Sequence, residues 1–341
     1  MAQGMPIPDL ERVSTKFGWT AGVDAGHKRG MLQGLALAST LFATMPGHAS
    51  GLSAVHVGRG DAVVRFFAPG NMAPRPVKRM HSITVPIPPV ARGLSLPPVE
   101  GPSDAGRPLV VIDAGHGGHD PGAINGKTGE REKDVTLAVA RAIRDQLVKG
   151  GRVRVALTRD DDRFLVLQER YGIARKLNAD LFISVHADSA ENEEAQGATV
   201  YTLSETASDR EAARLAAREN KADVLNGVNL GGQSGDVSSI LIDLTQRESM
   251  TVSASFARLL RREASPYVPF RSLYHRFASL MVLKAPDTPS VLFETGYLSN
   301  AKDAAFLSSR AGQLAIGRGV ARAIEVHFAR KLALRGGGSG G

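Results

Sequence analysis

Leu109–Val110–Val111–Ile112–Asp113–Ala114–Gly115–His116–Gly117–Gly118 is the stretch whose pattern decides the fold. Four consecutive apolar residues, three of them β-branched, suit a strand buried on both faces, the kind found in parallel sheets covered by helices. A Gly-rich turn carrying Asp113 and His116 follows at once. Polar groups set directly after a buried strand stand at the mouth of an α/β sheet, where such folds bind ligands.

Working outward, Val135, Val139, Ile143 and Leu147 recur every four residues and give a helix one apolar face, with Gly150–Gly151 as its stop. Val153–Leu157 is the next strand, and Leu167, Tyr171, Ala174 and Leu177 mark a second helix. Further strands are expected at Leu181–Val185, Ala198–Leu203, Leu280–Leu283 and Ser290–Phe293, with a closing helix from about Gln313 to Leu332. The alternation predicts one α/β catalytic domain over 107–334, with a mixed, mostly parallel central sheet flanked by helices.

Residues 1–49 carry Lys28–Arg29, an apolar run from Met31 to Met45 and the small-residue stretch Pro46–Ala49, the order of a secretory signal. Export to the periplasm is expected. Residues 50–106 divide into a short β-prone part around Ala62–Phe67 and a proline-rich extended linker from Pro74 to Pro108. The Gly/Ser run at 335–341 is a flexible tail. The chain has 341 residues, 43% of them hydrophobic, enough for a sizeable core. No cysteine is present, which excludes disulfide scaffolds, thiolate metal sites, iron–sulfur clusters and cysteine nucleophiles. Any metal must bind His and carboxylates. The formal charge of +8 favours anionic surroundings, but Lys and Arg are dispersed and only 5% of residues are aromatic, which argues against a nucleic-acid binder.

Three predicted strands run into ionisable groups: the first into Asp113 to Asp120, another into His186–Ala187–Asp188, the last into Glu294–Thr295–Gly296. Glu132 stands just before the first helix. Two imidazoles and a carboxylate suit catalytic zinc, which keeps a position open for water. His116, Glu132 and His186 are therefore the candidate metal ligands, and Glu294 is the carboxylate that would move protons. Singly, each has an ordinary structural explanation: a strand-end His as a hydrogen-bonded residue, Glu132 as an acidic group favoured by the helix dipole. The Gly-rich turn as a phosphate cradle is weakened because no helix begins directly after it. Only the constellation is informative.

Val111–Gly118, Arg131–Asp134, Ser184–Asp188 and Glu294–Asn300, in this order, together resemble the zinc-dependent N-acetylmuramoyl-L-alanine amidases of the AmiA/AmiB/AmiC type, over residues 107 to 332. The resemblance implies cleavage of the amide between N-acetylmuramic acid and L-Ala of the peptidoglycan stem peptide. It also implies one Zn2+ per chain on His116, Glu132 and His186, Glu294 as the catalytic glutamate, and a role in septal wall splitting. Asp188, two residues after a ligand, is a candidate supporting residue or weak ligand. Such amidases often carry a full β-rich targeting domain, whereas only residues 50–106 stand between the expected cleavage site and the catalytic block.

Residues 205–264 form an insertion with helical patterns at Ala207–Leu225 and Met250–Glu263, joined through Asn226–Gly235 and the apolar stretch Ile240–Leu241–Ile242. Pattern alone suggests a peripheral hairpin. The resemblance implies instead a regulatory element that occludes the zinc site until an activator with a LytM-like domain, of the EnvC/NlpD type, binds. A carboxylate from the insertion, or from Glu191, Glu193 or Glu194, would fill the open position. A zinc peptidase or deacetylase acting on another amide, and a wall-binding protein without catalysis, are the competing functions.

Overall fold

The computed structural model describes the backbone of residues 52–58, 61–67, 80–86, 95–221 and 237–336, and side chains within 95–221 and 245–333. The expected leader, the Asn226–Gly235 joint, the side chains of Ile240–Ile242 and the tail from 337 lie outside the described residues.

Nine strands are described. β1 (Leu52–Gly58), β2 (Asp61–Phe67) and β3 (Met80–Pro86) form a three-stranded sheet in that order. β3 falls within the stretch expected to be linker. Its alternation is compressed between the prolines that dominate the local composition.

The main sheet has six strands: β4 (Leu109–Ala114), β5 (Arg154–Leu157), β6 (Leu181–His186), β7 (Ala198–Leu203), β8 (Phe270–Ala278) and β9 (Ser290–Glu294). Their order is β5-β4-β6-β9-β7-β8. The first four are mutually parallel, β7 runs antiparallel to β9, and β8 is parallel to β7. This is the mixed, mostly parallel sheet that the sequence predicts.

Helices cover both faces. On one side α1 (Glu132–Gly150), α4 (Val237–Ala264) and α6 (Arg310–Gly336) place Val139, Ile143, Phe256, Leu260 and Ile324 against Ile112, Ile183 and Phe293. On the other, α2 (Leu167–Lys176) and α3 (Arg210–Glu219) place Ile173, Leu215 and Ala216 against Val111, Phe182, Tyr201 and Leu292. α1 ends where expected: Gly151 takes a left-handed φ of 62° and its N–H bonds back to the carbonyls of Leu147 and Val148. Among the described residues, no helix is long and apolar enough to cross a membrane.

Leu280–Leu283, expected as a strand, is instead a 3-10 turn at Met281–Leu283 with Val282 and Leu283 buried. A four-residue apolar run does not distinguish the two by period. The strand in this region is β8, whose Arg271, His275 and Arg276 break the apolar alternation because it is an edge strand paired only with β7. A short helix, α5 (Ala301–Ser308), was not expected. Its start is signalled by Asn300, whose side chain accepts from the N–H groups of Lys302 and Asp303.

Register aligns the chemistry. Asp113 is level with Ser184, His186 with Glu294, and Glu294 with Thr199, so β4, β6 and β9 deliver their terminal polar residues to one rim of the sheet.

Candidate metal centre

His116 follows the end of β4 in a left-handed conformation, φ 60°, unusual for a residue with a Cβ. Two buried guanidinium groups hold the turn in that shape. Arg170 donates to the carbonyls of Ala114 at 2.8 Å and His116 at 2.9 Å, and to the Asp113 carboxylate at 3.0 Å. Arg159 donates to the carbonyls of Ala114 at 3.0 Å and Gly115 at 2.8 Å. Asp113 also accepts from Thr158 and Ser184, and although burial pushes its carboxyl up, Arg170 and the two hydroxyls outweigh that and hold it low. Burial pushes the Arg159 guanidinium down to about 10.

The Asp120 carboxylate lies 2.9 Å from Nδ1 of His116, which assigns Nδ1 the proton and leaves Nε2 as a lone-pair donor. That Nε2 lies 3.2 Å from Oε2 of Glu132. Glu132, the first residue of α1, is fully buried and accepts from the N–H groups of Ala123 at 2.8 Å and Ala187 at 2.9 Å. Nδ1 of His186, at the end of β6, lies 3.1 Å from Oε1 of Glu132. The ligand atoms of His116, Glu132 and His186 all fall within 4.8 Å of one another. The structure thus gathers the three residues that the sequence pattern singles out, from elements up to 70 residues apart.

Two glycines make the approach possible. A Cβ on Gly115 would stand 2.6 Å from the His186 ring, and one on Gly122 would stand 2.6 Å from His116 and 2.7 Å from Glu132.

Electrostatically the cluster is built for a cation. Burial disfavours charge on Glu132, but His116 and His186 outweigh it and hold the carboxyl well below its usual range. Burial likewise opposes a charged His116, yet Glu132 and Glu219 push it well up. Nε2 of His116 is buried with no hydrogen-bond partner, as is Oε1 of Glu294. An orphaned imidazole nitrogen beside a carboxylate and a second imidazole fits a His2Glu zinc set.

Glu294 accepts from the N–H of Asp188 at 3.1 Å. Burial, then Glu132 and Glu219, push its carboxyl well above the usual range. Asp188 does not join the cluster: its Oδ1 accepts from the N–H of Ser189 at 2.6 Å, and Oδ2 pairs with Arg218.

Sequence reasoning did not single out Glu219. Its Oε2 lies 3.3 Å from Nδ1 of His186 and 3.6 Å from Nε2 of His116. The signal was present, since Ala212, Leu215, Ala216 and Glu219 follow the spacing of one helical face, so the acidic residue continues a buried stripe. Of the acidic-loop alternatives, Glu191 pairs with Arg214 and, like Glu193 and Glu194, is exposed to solvent.

Residues 110–326 match the family model described as N-acetylmuramoyl-L-alanine amidase. The chain is 35% identical over 256 residues to the amidase AmiC of Escherichia coli O6:H1, covering 73% of this chain and 60% of that protein. It is 37% identical over 224 residues to AmiA of Escherichia coli K12, covering 65% of this chain and 77% of that one. Among solved structures, the catalytic domain of CwlV from Bacillus (Paenibacillus) polymyxa is similar at 28% identity and a TM-score of 0.48, covering 65% of this chain and 98% of that one. The chain spans about 60% of the length of AmiC.

Proposed function

Because the chain belongs to the N-acetylmuramoyl-L-alanine amidase family, we propose that it hydrolyses the amide joining N-acetylmuramic acid to L-Ala of the peptidoglycan stem peptide, using one zinc ion held by His116, Glu132 and His186. The observation that carries this reading is the convergence of those three ligand atoms beside the buried, unpaired Oε1 of Glu294. Zinc, when bound, supplies Lewis-acid polarisation and a water acidic enough to ionise near neutral pH. The remaining work belongs to the chain. Asp120 and Arg170 orient His116, and Glu132 is locked by two backbone N–H groups. Glu294, its proton affinity raised by burial and neighbouring carboxylates, takes a proton and returns it to the leaving amine.

The test is release of free stem peptides from purified peptidoglycan. Chelator-sensitive release that Glu294→Ala abolishes supports the zinc amidase. Binding to the wall without release supports the wall-binding alternative, released peptides cut at another amide support a zinc peptidase, and released acetate supports a deacetylase.

Glu219 stands against both histidines of the cluster, and Arg218 beside it pairs with Asp188. We infer an autoinhibited enzyme, periplasmic and acting in daughter-cell separation, released by an activator with a LytM-like domain. Glu219→Ala, or deletion of 205–247, is expected to raise basal wall hydrolysis at least tenfold. Unchanged hydrolysis by a folded, zinc-loaded Glu219→Ala protein would overturn the inference.

A further inference from the structure

The face of the sheet that carries Glu294 continues outward under α3. Thr199 on β7 is level with Glu294 and Tyr201 with Leu292, while Tyr201 is level with Arg276 on the edge strand β8. Arg276 is buried, and its Nε has no hydrogen-bond partner. The Tyr201 hydroxyl, also buried, has none. Arg271, from the start of β8, donates to the Tyr297 hydroxyl at 3.0 Å, and that hydroxyl lies 3.3 Å from the Thr199 hydroxyl. Two arginines thus stand on the strand two places from that of Glu294, on the same face, with the two backbones about 10 Å apart.

Their acidic partners both come from the start of α3. Arg276 pairs with Asp209 at 2.8 Å and with Glu211 at 2.9 Å. Arg271 pairs with both oxygens of Glu211. The same helix, about 15 Å long, delivers Glu219 to the metal ligands at its other end. One segment therefore satisfies the cationic end and the metal end of this face together, each with carboxylates.

We propose that Arg271 and Arg276 form the carboxylate-binding site of the substrate groove, and that Asp209 and Glu211 fill it in the closed state as Glu219 fills the metal end. The proposal rests on the amidase reading above. The chemistry of the substrate supplies the match. In the stem peptide, L-Ala is followed by D-Glu joined through its side chain, which leaves the D-Glu α-carboxylate free. An extended chain advances about 3.3–3.6 Å per residue, so with L-Ala at Glu294 the D-Glu α-carbon stands one such step along, and its α-carboxylate is met by the long arginine side chains reaching in from the edge strand. Planar guanidinium forks bind carboxylates bidentately, and Arg276 Nε is a donor still unused. The Ala212, Leu215 and Ala216 face of α3, once lifted, leaves an apolar floor beside them.

The test uses the zinc-loaded chain unlatched by Asp209→Ala, Glu211→Ala and Glu219→Ala together. Binding of the tripeptide L-Ala–γ-D-Glu–L-Lys is measured by calorimetry, beside the same peptide with the D-Glu α-carboxylate amidated. The unlatched protein is expected to bind the acid form at least tenfold more tightly than the amidated form. Arg271→Gln or Arg276→Gln in that protein is expected to erase the difference by weakening the acid form about tenfold or more, with little change for the amide. Equal affinity for the two peptides, an equal loss for both on Arg→Gln, or no binding at all would overturn the proposal. Loss on both peptides is also what a variant that no longer folds would give, so thermal unfolding is followed in parallel, and the more exposed Arg271 gives the decisive variant if Arg276→Gln unfolds. Hydrolysis of N-acetylmuramoyl-L-Ala–D-Glu by the same protein separates the two readings. Hydrolysis without arginine-dependent discrimination removes the carboxylate site alone. Discrimination in binding without hydrolysis removes the amidase reading alone.

Discussion

At Gly122 the metal site leaves no room for a side chain. Its φ is 64°, and an added Cβ would meet His116 and Glu132 at once. Gly122→Ala is therefore expected to displace both ligands and to lower zinc affinity and wall hydrolysis by about a hundredfold or more, since misplacing reacting groups by about 1 Å costs that much. Zinc content after dialysis against a weak chelator, with far-ultraviolet circular dichroism to confirm the fold, checks it. The residues of the candidate cluster were legible because each sits where a buried strand or helix begins or ends. The groups that aim them were not. Arg170 reaches the carbonyl of His116 across 54 residues of sequence, and nothing in its local pattern distinguishes it from a surface helix arginine. Asp120, only four residues from His116, stood in view but in a loop whose path the sequence does not specify.

Elements that pack against each other through two buried faces are the best read and the least tolerant. α1 and α6 cross with Gly317 against the Ala142 backbone, where an added Cβ would stand 2.7 Å from the carbonyl oxygen. Helix propensity favours Gly317→Ala by up to about 1 kcal/mol. Overpacking against backbone opposes it by about 1–3 kcal/mol. The net expectation is a loss of up to about 2 kcal/mol, read from the midpoint of urea unfolding. β4, β6 and β9 were legible because burial on both faces forces continuous apolar runs. β8 was not, because an edge strand answers to one neighbour and carries arginines whose partners lie on α3. α3 itself was visible as a helix, but its docking is decided by Glu219 and by the ion pairs at its start, which are tertiary facts.

Over the whole molecule, stability is expected to carry an acid limb to which one half-buried side chain contributes. Burial, reinforced by Lys331 and opposed by Asp180, pushes the His327 imidazole from its ordinary 6.5 down to about 4. Its Nε2 has no partner, and its ring meets Phe256 and Phe328 edge to face. The unfolded chain takes up this proton more readily than the folded one, so stability is expected to fall as pH drops from about 6.5 to about 4. The loss amounts to about 2–3 kcal/mol. His327→Leu is expected to flatten that limb in denaturation midpoints compared at pH 7 and pH 4.5. The location of the catalytic block and its sheet were readable from the chain; this acid response was not, because it depends on how deeply α6 sinks between its neighbours.

α3 leaves β7 through the short connection at 204–209 and remains part of the same chain as the cluster that its Glu219 touches. Glu219 is thus a tethered ligand, and a tether of that length fixes its local concentration on the order of millimolar. In the autoinhibited enzyme proposed above, a soluble wall fragment present at micromolar levels would compete poorly with such a ligand, and turnover would follow the fraction of molecules in which the tethered carboxylate has let go. Raising substrate would then raise the rate in proportion, far from saturation, and anything that shifts the opening equilibrium would change it in proportion as well.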